Sequence, residues 1–238
     1  MGWLPDLTQR HREPEIMDRP DLDGAQHVNA LVALRRINFW STSAGVLWRA
    51  VAGLAGEATG PVRVLDIATG GGDTPIRLWH KARRAGIDVA IAGCDKSATA
   101  IEHARRQAQQ ADADVGFFML DVLAEPIAEK YDLVTCSLFL HHLDDEPAVE
   151  LLRRMAAAAR RQVLVNDLAR CRSGYLAAYL GTRLLTTSPV ARVDGPLSVQ
   201  GAYTPEEALA LAERAGLTGT TVRRCWPFRF LLSWRRTL

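Results

Sequence analysis

The stretch Arg63-Val64-Leu65-Asp66-Ile67-Ala68-Thr69-Gly70-Gly71-Gly72-Asp73 constrains the fold of this chain more than any other. An apolar run ends in an acid, passes into a glycine-rich turn and leads to a helix start, which is the opening of a βαβ unit. Thr74 reads as the N-cap of that helix, with Pro75 at its first position, where a missing N–H is harmless. Glycines in such a turn admit positive φ and let a ligand approach the backbone closely. Ligands of this fold sit over the loop, at the carboxyl end of the strand.

The charges around the turn narrow the ligand. A dinucleotide site needs Gly-x-Gly-x-x-Gly so that a pyrophosphate can rest on the helix N-terminus. With Gly70 and Gly72 as its first two glycines, the third place falls on Pro75. Asp66 and Asp73 bracket the loop with negative charge, which repels a pyrophosphate and suits an ammonium or sulfonium. No Gly-Lys-Ser/Thr follows, so a phosphate-cradling loop of that kind is excluded.

The run Leu65 to Asp73 resembles the first motif of class I S-adenosylmethionine-dependent methyltransferases, Asp/Glu-x-Gly-x-Gly-x-Gly, with Ala68 in place of the first glycine. The quinone C-methyltransferases of ubiquinone and menaquinone synthesis also carry alanine there, which tilts the resemblance toward that branch. It implies an α/β fold with a doubly wound, seven-stranded, mostly parallel sheet under an N-terminal helical cover. It also implies S-adenosyl-L-methionine as cofactor, bound along Asp66, Ala68, Thr69, Gly70, Gly72 and Asp73.

Further strand ends continue the pattern. Val89 to Cys94 closes at Asp95, Val115 to Leu120 closes at Asp121, and Tyr131 to Ser137 leads into Leu138-Phe139-Leu140-His141-His142-Leu143-Asp144-Asp145. An acid at the second strand end accepts hydrogen bonds from a ribose in βαβ nucleotide folds. The resemblance assigns both ribose hydroxyls to Asp95, with Lys96 beside it. It gives the adenine amino group to Asp121 and a backbone N–H toward the ring to Val122. Ser137 then lies where the fourth strand ends, under the methyl group. Ser97 and the carboxylate of Asp95 also suit plain capping of the next helix. The segment after Ser137 lacks the Asn/Asp-Pro-Pro-Tyr/Phe of enzymes that methylate base amines.

His142 and His141 are the candidate general bases, because imidazole titrates near neutral pH. On an extended backbone, consecutive residues point to opposite sides, so one of the two would face the substrate and the other would pack. Two adjacent histidines with no carboxylate or cysteine at ligand spacing give no metal site.

Composition bounds the remaining possibilities. The chain of 238 residues suits one α/β domain with covering helices. A net charge of +2, with arginines scattered along the chain, gives no reason to invoke nucleic acid. Cys94, Cys136, Cys171 and Cys225 lie far apart; the first two fall in apolar strands, as buried reduced thiols do. Residues 1 to 20 are polar and proline-broken, unlike a signal peptide, and no apolar run approaches the ~18 residues of a membrane span. These features fit a cytoplasmic enzyme.

Residues 1–60 read as an arm and a helical lid, and 61–238 as the cofactor-binding domain. In the first part, Asp23 caps a helix carrying Val28, Leu31, Leu34 and Ile37. After Ser41-Thr42-Ser43, a second helix follows with Val46, Leu47, Val51 and Leu54 as its apolar face. Asn38-Phe39-Trp40-Ser41 through Trp48-Arg49 loosely resembles a segment of the quinone enzymes. In the second part, an insertion at about 170–203 resembles a substrate lid, with one helix from about Gly174 to Leu185 and a turn-rich run from Ser188 to Pro196. Tyr175, Tyr179, Arg192 and Tyr203 are contacts for a substrate or for packing. Thr204-Pro205-Glu206-Glu207 opens a helix.

Together these features point to methyl transfer onto a small phenolic or quinol acceptor, aromatic or polyketide-derived, with O-methylation favoured, C-methylation as the variant, and a homodimer left open. The alternatives are a catalytically inactive S-adenosylmethionine-binding protein of the same fold and a dinucleotide-dependent oxidoreductase.

Overall fold

The computed structural model describes residues 5–16, 29 and 43–237. The helix opened by Asp23 and the segment from Asn38 to Ser41 lie outside the described residues. The first described helix, α1, is Ser43–Ala55, and Leu47, Val51 and Leu54 are fully buried along it. There follow β1 (Val62–Ile67), α2 (Asp73–Ala85), β2 (Val89–Asp95), α3 (Ala98–Gln110), β3 (Val115–Met119) and β4 (Tyr131–Ser137). After a short 3₁₀ turn at Leu140–His142 come α4 (Asp145–Ala158), β5 (Ala159–Leu168), α5 (Arg172–Leu185) and α6 (Pro189–Gly201). The chain closes with α7 (Pro205–Arg214), β6 (Thr221–Cys225) and β7 (Arg229–Arg235).

The seven strands form one sheet in the order β3-β2-β1-β4-β5-β7-β6. Strands β1 to β5 run parallel, and β7 lies antiparallel to both β5 and β6. Successive strand residues feed opposite faces, as the pleat requires. Val64, Ile91, Leu133 and Leu164 pack with Leu47, Val51, Leu54 and Leu78 from α1 and α2. Leu65, Val134, Val163 and Val165 pack with Val149, Leu152, Met155 and Leu211 from α4 and α7. Burial on both faces is why the strands read as continuous apolar runs. Cys94 and Cys136 are both fully buried free thiols, their pKa values pushed up by burial, to about 12 for Cys94. Among the described residues, no helix is long and apolar enough to cross a membrane.

The chain builds outward from β1 through β2 to β3, then returns to start again at β4 on the other side of β1. The reversal falls between β1 and β4, and ligands of open α/β sheets bind in the crevice above such a switch point. Two segments therefore meet there: the loop after Ile67 and the segment after Ser137.

Two local expectations are corrected. The helix after the glycine loop starts at Asp73, and its N-cap is Gly72 in the left-handed conformation (φ 79°), not Thr74. Gly72 can take that φ at no steric cost, so the backbone enters the helix two residues sooner than a threonine cap would allow. Ser188 to Gly201 is not turn-rich: α6 occupies it, opened by Ser188, whose Oγ accepts from Ala191 N at 3.3 Å, with Pro189 at the first position. Gly195 and Pro196, which read as breakers, serve close packing instead. A Cβ on Gly195 would sit 2.6 Å from Thr182 Cγ2 of α5, so glycine is what lets the two helices approach.

Candidate active site

The loop over the switch point is a sequence of left-handed turns. Ala68, Gly70 and Gly72 have φ of 51°, 53° and 79°. An alanine there is strained by about 1–2 kcal/mol, and its surroundings hold it in place. Thr69 N donates to Cys94 O (3.0 Å), Gly72 N to Thr69 O (3.0 Å), and Gly70 N to Asp95 Oδ2 (2.9 Å). Gly72 is also a packing position: a Cβ there would lie 2.8 Å from Phe117 Cζ, behind the loop.

The three rim acids differ in placement. Asp66 is 2% exposed and turned inward; its Oδ2 accepts from Thr69 Oγ1 (2.9 Å) and its Oδ1 from Thr135 Oγ1 (2.8 Å). It thus clamps the loop to β4. Burial raises its pKa to about 6, with Asp95 adding to the rise and the two threonine hydroxyls opposing it. Asp95 is half-buried, and its Oδ1 accepts from Ser97 N (2.9 Å) while Oδ2 tethers the loop. Asp121 is exposed and accepts from Leu123 N (3.0 Å), and Val122 beside it is buried. Ser97 is the N-cap of α3, as a plain capping reading expects, and Lys96 is exposed. Asp73 is the first residue of α2, where its charge favours the helix dipole. Ser137 Oγ, at the end of β4 beside the loop, is buried and has no hydrogen-bond partner among the described residues.

The raised pKa of Asp66 has a sign that can be tested. In an unfolded chain this carboxyl titrates near ~3.9, so the fold favours its protonated form. That contribution is present below about pH 4 and is lost as pH rises through about 6, an effect of ~3 kcal/mol. Asp66→Asn removes it. Denaturant midpoints of the cofactor-free protein measured against pH are expected to show the variant gaining on the wild type between about pH 4 and 6. Parallel curves across that window refute the assignment.

Past Ser137 the strand breaks sharply. Leu138 takes φ 57°, and Leu140–His142 curls into a 3₁₀ turn. The backbone is therefore not extended, and both histidine rings fall on the same side, with centroids 4.3 Å apart and planes tilted by 35°. His141 is 5% exposed; its Nδ1 lies 2.6 Å from Asp167 Oδ1, and its backbone N donates to Asp167 Oδ2 at 3.1 Å. Burial alone would raise the Asp167 pKa, but the charge and hydrogen bonds of His141 and the Leu168 N–H outweigh it and hold the group below the usual carboxylate range. A carboxylate only accepts, so Nδ1 donates to it, and in the neutral ring Nε2 is the atom left with the lone pair. His142 stacks on Phe139, with centroids 6.0 Å apart.

The N-terminal arm lies across this turn. Arg10 donates to the carbonyls of Gly201 (2.7 Å), His141 (3.0 Å) and Leu143 (2.7 Å), and its guanidinium sits 3.8 Å from the centre of the Tyr203 ring. Arg12 pairs with Asp144 at 2.7 Å, and Arg170 donates to Leu7 O at 3.1 Å. The arm then delivers Glu15, 6% exposed, to the histidines: Oε1 is 3.7 Å from His141 Nε2, and Oε2 is 3.9 Å from His142 Nε2. Tyr203 is buried, with its hydroxyl on Leu143 O (2.9 Å). Tyr179 lies under Arg183, and Arg192 donates to Thr186 O, so these side chains are engaged in packing.

Sequence reasoning missed three residues. Asp167 ends a strand like the other rim acids, and that signal could have marked it. Thr135 is an ordinary strand residue, and Glu15 sits in a polar arm with nothing local to set it apart.

A model of a "Methyltransferase domain" family matches residues 64–162. A demethylmenaquinone methyltransferase of Deinococcus radiodurans is 32% identical over 218 residues, 87% of this chain and 86% of that protein. One from Thermus thermophilus is 34% identical over 128 residues; this chain spans 56% of its length. A ubiquinone biosynthesis O-methyltransferase of Bordetella avium is 31% identical over 175 residues, 71% of this chain and 67% of that protein. Among solved structures, magnesium protoporphyrin IX methyltransferase from Synechocystis PCC 6803, crystallised with S-adenosylhomocysteine, superposes with TM-score 0.56 at 18% identity, covering 93% of this chain and 91% of that one. That likeness speaks for the fold.

Proposed function

The chain belongs to the S-adenosylmethionine-dependent methyltransferases, and from that premise we propose that it methylates a small phenolic or quinol acceptor, with oxygen favoured over ring carbon. S-adenosylmethionine is the cofactor, and the site suits it. Ser137 Oγ is a buried hydroxyl in need of a partner, Asp95 keeps lone pairs beyond those used by Gly70 and Ser97, and Asp121 stands exposed at the third strand end. When bound, it supplies a methyl group on a positive sulfur, so transfer neutralises charge and the protein's task is mainly alignment, worth ~7–11 kcal/mol.

The observation that carries the acceptor reading is the buried Asp167–His141 pair at the strand end next to the cofactor loop. Asp167 holds the imidazole by Nδ1, and in this reading Nε2 takes the proton of an acceptor hydroxyl, with His142 beside it as the second candidate. Relatives named for quinone precursors support an aromatic, hydroxylated acceptor. The arm and the α5–α6 pair form the lid that keeps water from the nucleophile, and the uniformly free cysteines suit a cytoplasmic setting.

Incubation with S-adenosylmethionine and a panel of phenols, catechols and reduced quinones tests the reading, with S-adenosylhomocysteine and the methylated product measured by mass spectrometry. Turnover is expected for at least one class, and the position of the new methyl separates oxygen from carbon. His141→Ala is expected to lower kcat by ~10²–10⁴-fold while cofactor affinity holds. A protein that binds the cofactor and turns over none of these acceptors overturns the acceptor class.

A further inference from the structure

We propose that Glu15, His141 and His142 form a binding site for one divalent first-row transition-metal cation. The inference rests on the acceptor-side placement of the histidines argued above; with the ion bound, His141 Nε2 is a ligand, and the ion takes over from it the activation of the acceptor hydroxyl.

One ligand atom from each of the three residues lies within 4.8 Å of the others. The Glu15 oxygens stand 3.7 and 3.9 Å from the two Nε2 atoms. These separations are too long for hydrogen bonds. They are short enough for one ion, with bonds of ~2.0–2.2 Å to imidazole and carboxylate, to draw the three together. One strained residue, the left-handed Leu138, and the 3₁₀ turn that follows it bring the rings to the same side. Strain of this kind persists where the surroundings demand it, and it marks functional segments.

Outer contacts match those of a ligand set. Asp167 holds His141 Nδ1 at 2.6 Å, which fixes the tautomer and leaves Nε2 as the donor atom. Ser198 Oγ donates to Glu15 Oε1. Carboxylates and hydroxyls in these positions orient metal ligands and raise their basicity. The charge argument points the same way. Glu15 is 6% exposed, and a carboxylate that deeply placed needs a counter-charge. A divalent cation supplies it without protonating either ring.

Two imidazoles and one carboxylate suit zinc, manganese or iron(II) and leave coordination positions for other ligands. On this site an acceptor hydroxyl would ligate through oxygen and release its proton to solvent. The bound phenolate oxygen would then attack the methyl carbon, the new C–O bond forming as the C–S bond breaks and its electron pair returns to sulfur.

The test uses untagged, chelator-treated full-length protein. Calorimetry with Zn²⁺ or Mn²⁺ is expected to show one ion per chain, and Co²⁺ to give a visible d–d spectrum of mixed nitrogen and oxygen ligation. Asp167→Asn is expected to weaken binding by ~10–100-fold, and Glu15→Gln and His142→Gln by more than that. Retained S-adenosylmethionine affinity in each variant certifies the fold. The proposal is overturned if the wild type binds no stoichiometric ion, or if folded Glu15→Gln binds it as tightly as the wild type. Phenol methylation that survives complete chelation in a protein that binds no ion sinks the metal site and leaves the acceptor reading standing. Stoichiometric binding without turnover of any phenol or quinol does the reverse.

Discussion

Asp95→Ala is expected to weaken S-adenosylmethionine binding by ~10²–10⁴-fold. The carboxylate ends β2, where the family places the ribose, and it also holds the glycine loop through Gly70 N at 2.9 Å. Each hydrogen bond from a ribose hydroxyl to a charged acceptor contributes about 1.5–3 kcal/mol. Losing two is worth about 3–6 kcal/mol, at 1.4 kcal/mol per tenfold in affinity. Asp95→Asn keeps one accepting oxygen and should fall between the variant and the wild type. Isothermal titration with S-adenosylmethionine and S-adenosylhomocysteine measures the effect, and thermal melting of the free protein checks that the variant folds. An unchanged dissociation constant in a folded Asp95→Ala protein would remove the ribose assignment.

Arg10→Ala is expected to detach the arm from the site while leaving the sheet intact. One guanidinium supplies three short hydrogen bonds to the carbonyls of Gly201, His141 and Leu143 and stacks on Tyr203. Donors with full charge make hydrogen bonds worth about 1.5–3 kcal/mol each, and as a non-additive set these hold the arm by about 3–5 kcal/mol. The remaining ties of residues 5–16 are separate contacts, such as Arg12 with Asp144, Leu7 O with Arg170 and Glu15 with Ser198, so the loss appears as local opening and not as global unfolding. Hydrogen exchange should show the amides of His11 and Ile16, bonded to Gln200 O and Asp194 Oδ1, losing protection. Cofactor affinity should hold, whereas methyl transfer should fall as Glu15 leaves the histidines. Protection equal to that of the wild type would show that the arm is held by something else.

The residues proposed for the cofactor stand out in the sequence because their signals are local. Leu65-Asp66 followed by three glycines, Asp95 after Val89 to Cys94, and Asp121 after the third strand each combine an apolar run with an acid within a few residues. Backbone geometry then places every such acid at a carboxyl strand end. What the spacing could not show was direction. Asp66 reads as a rim charge, but Thr135, far along the chain and one strand over, turns it inward. The α6 helix was hidden for a related reason. Gly195 and Pro196 break helices on average, and only the nearness of Thr182 explains why a glycine belongs there.

The sequence by itself determined the sheet, the helices between its strands and the cofactor, since burial on two faces and the acid-ended strands follow from residues close in the chain. The tertiary structure alone brought together the residues proposed for the acceptor side. Glu15, His141, His142 and Asp167 come from the arm, the turn after β4 and the end of β5. Charges and imidazoles so far apart in sequence meet only when the arm folds across the carboxyl ends of β4 and β5, and burial there is what forces them to find one another.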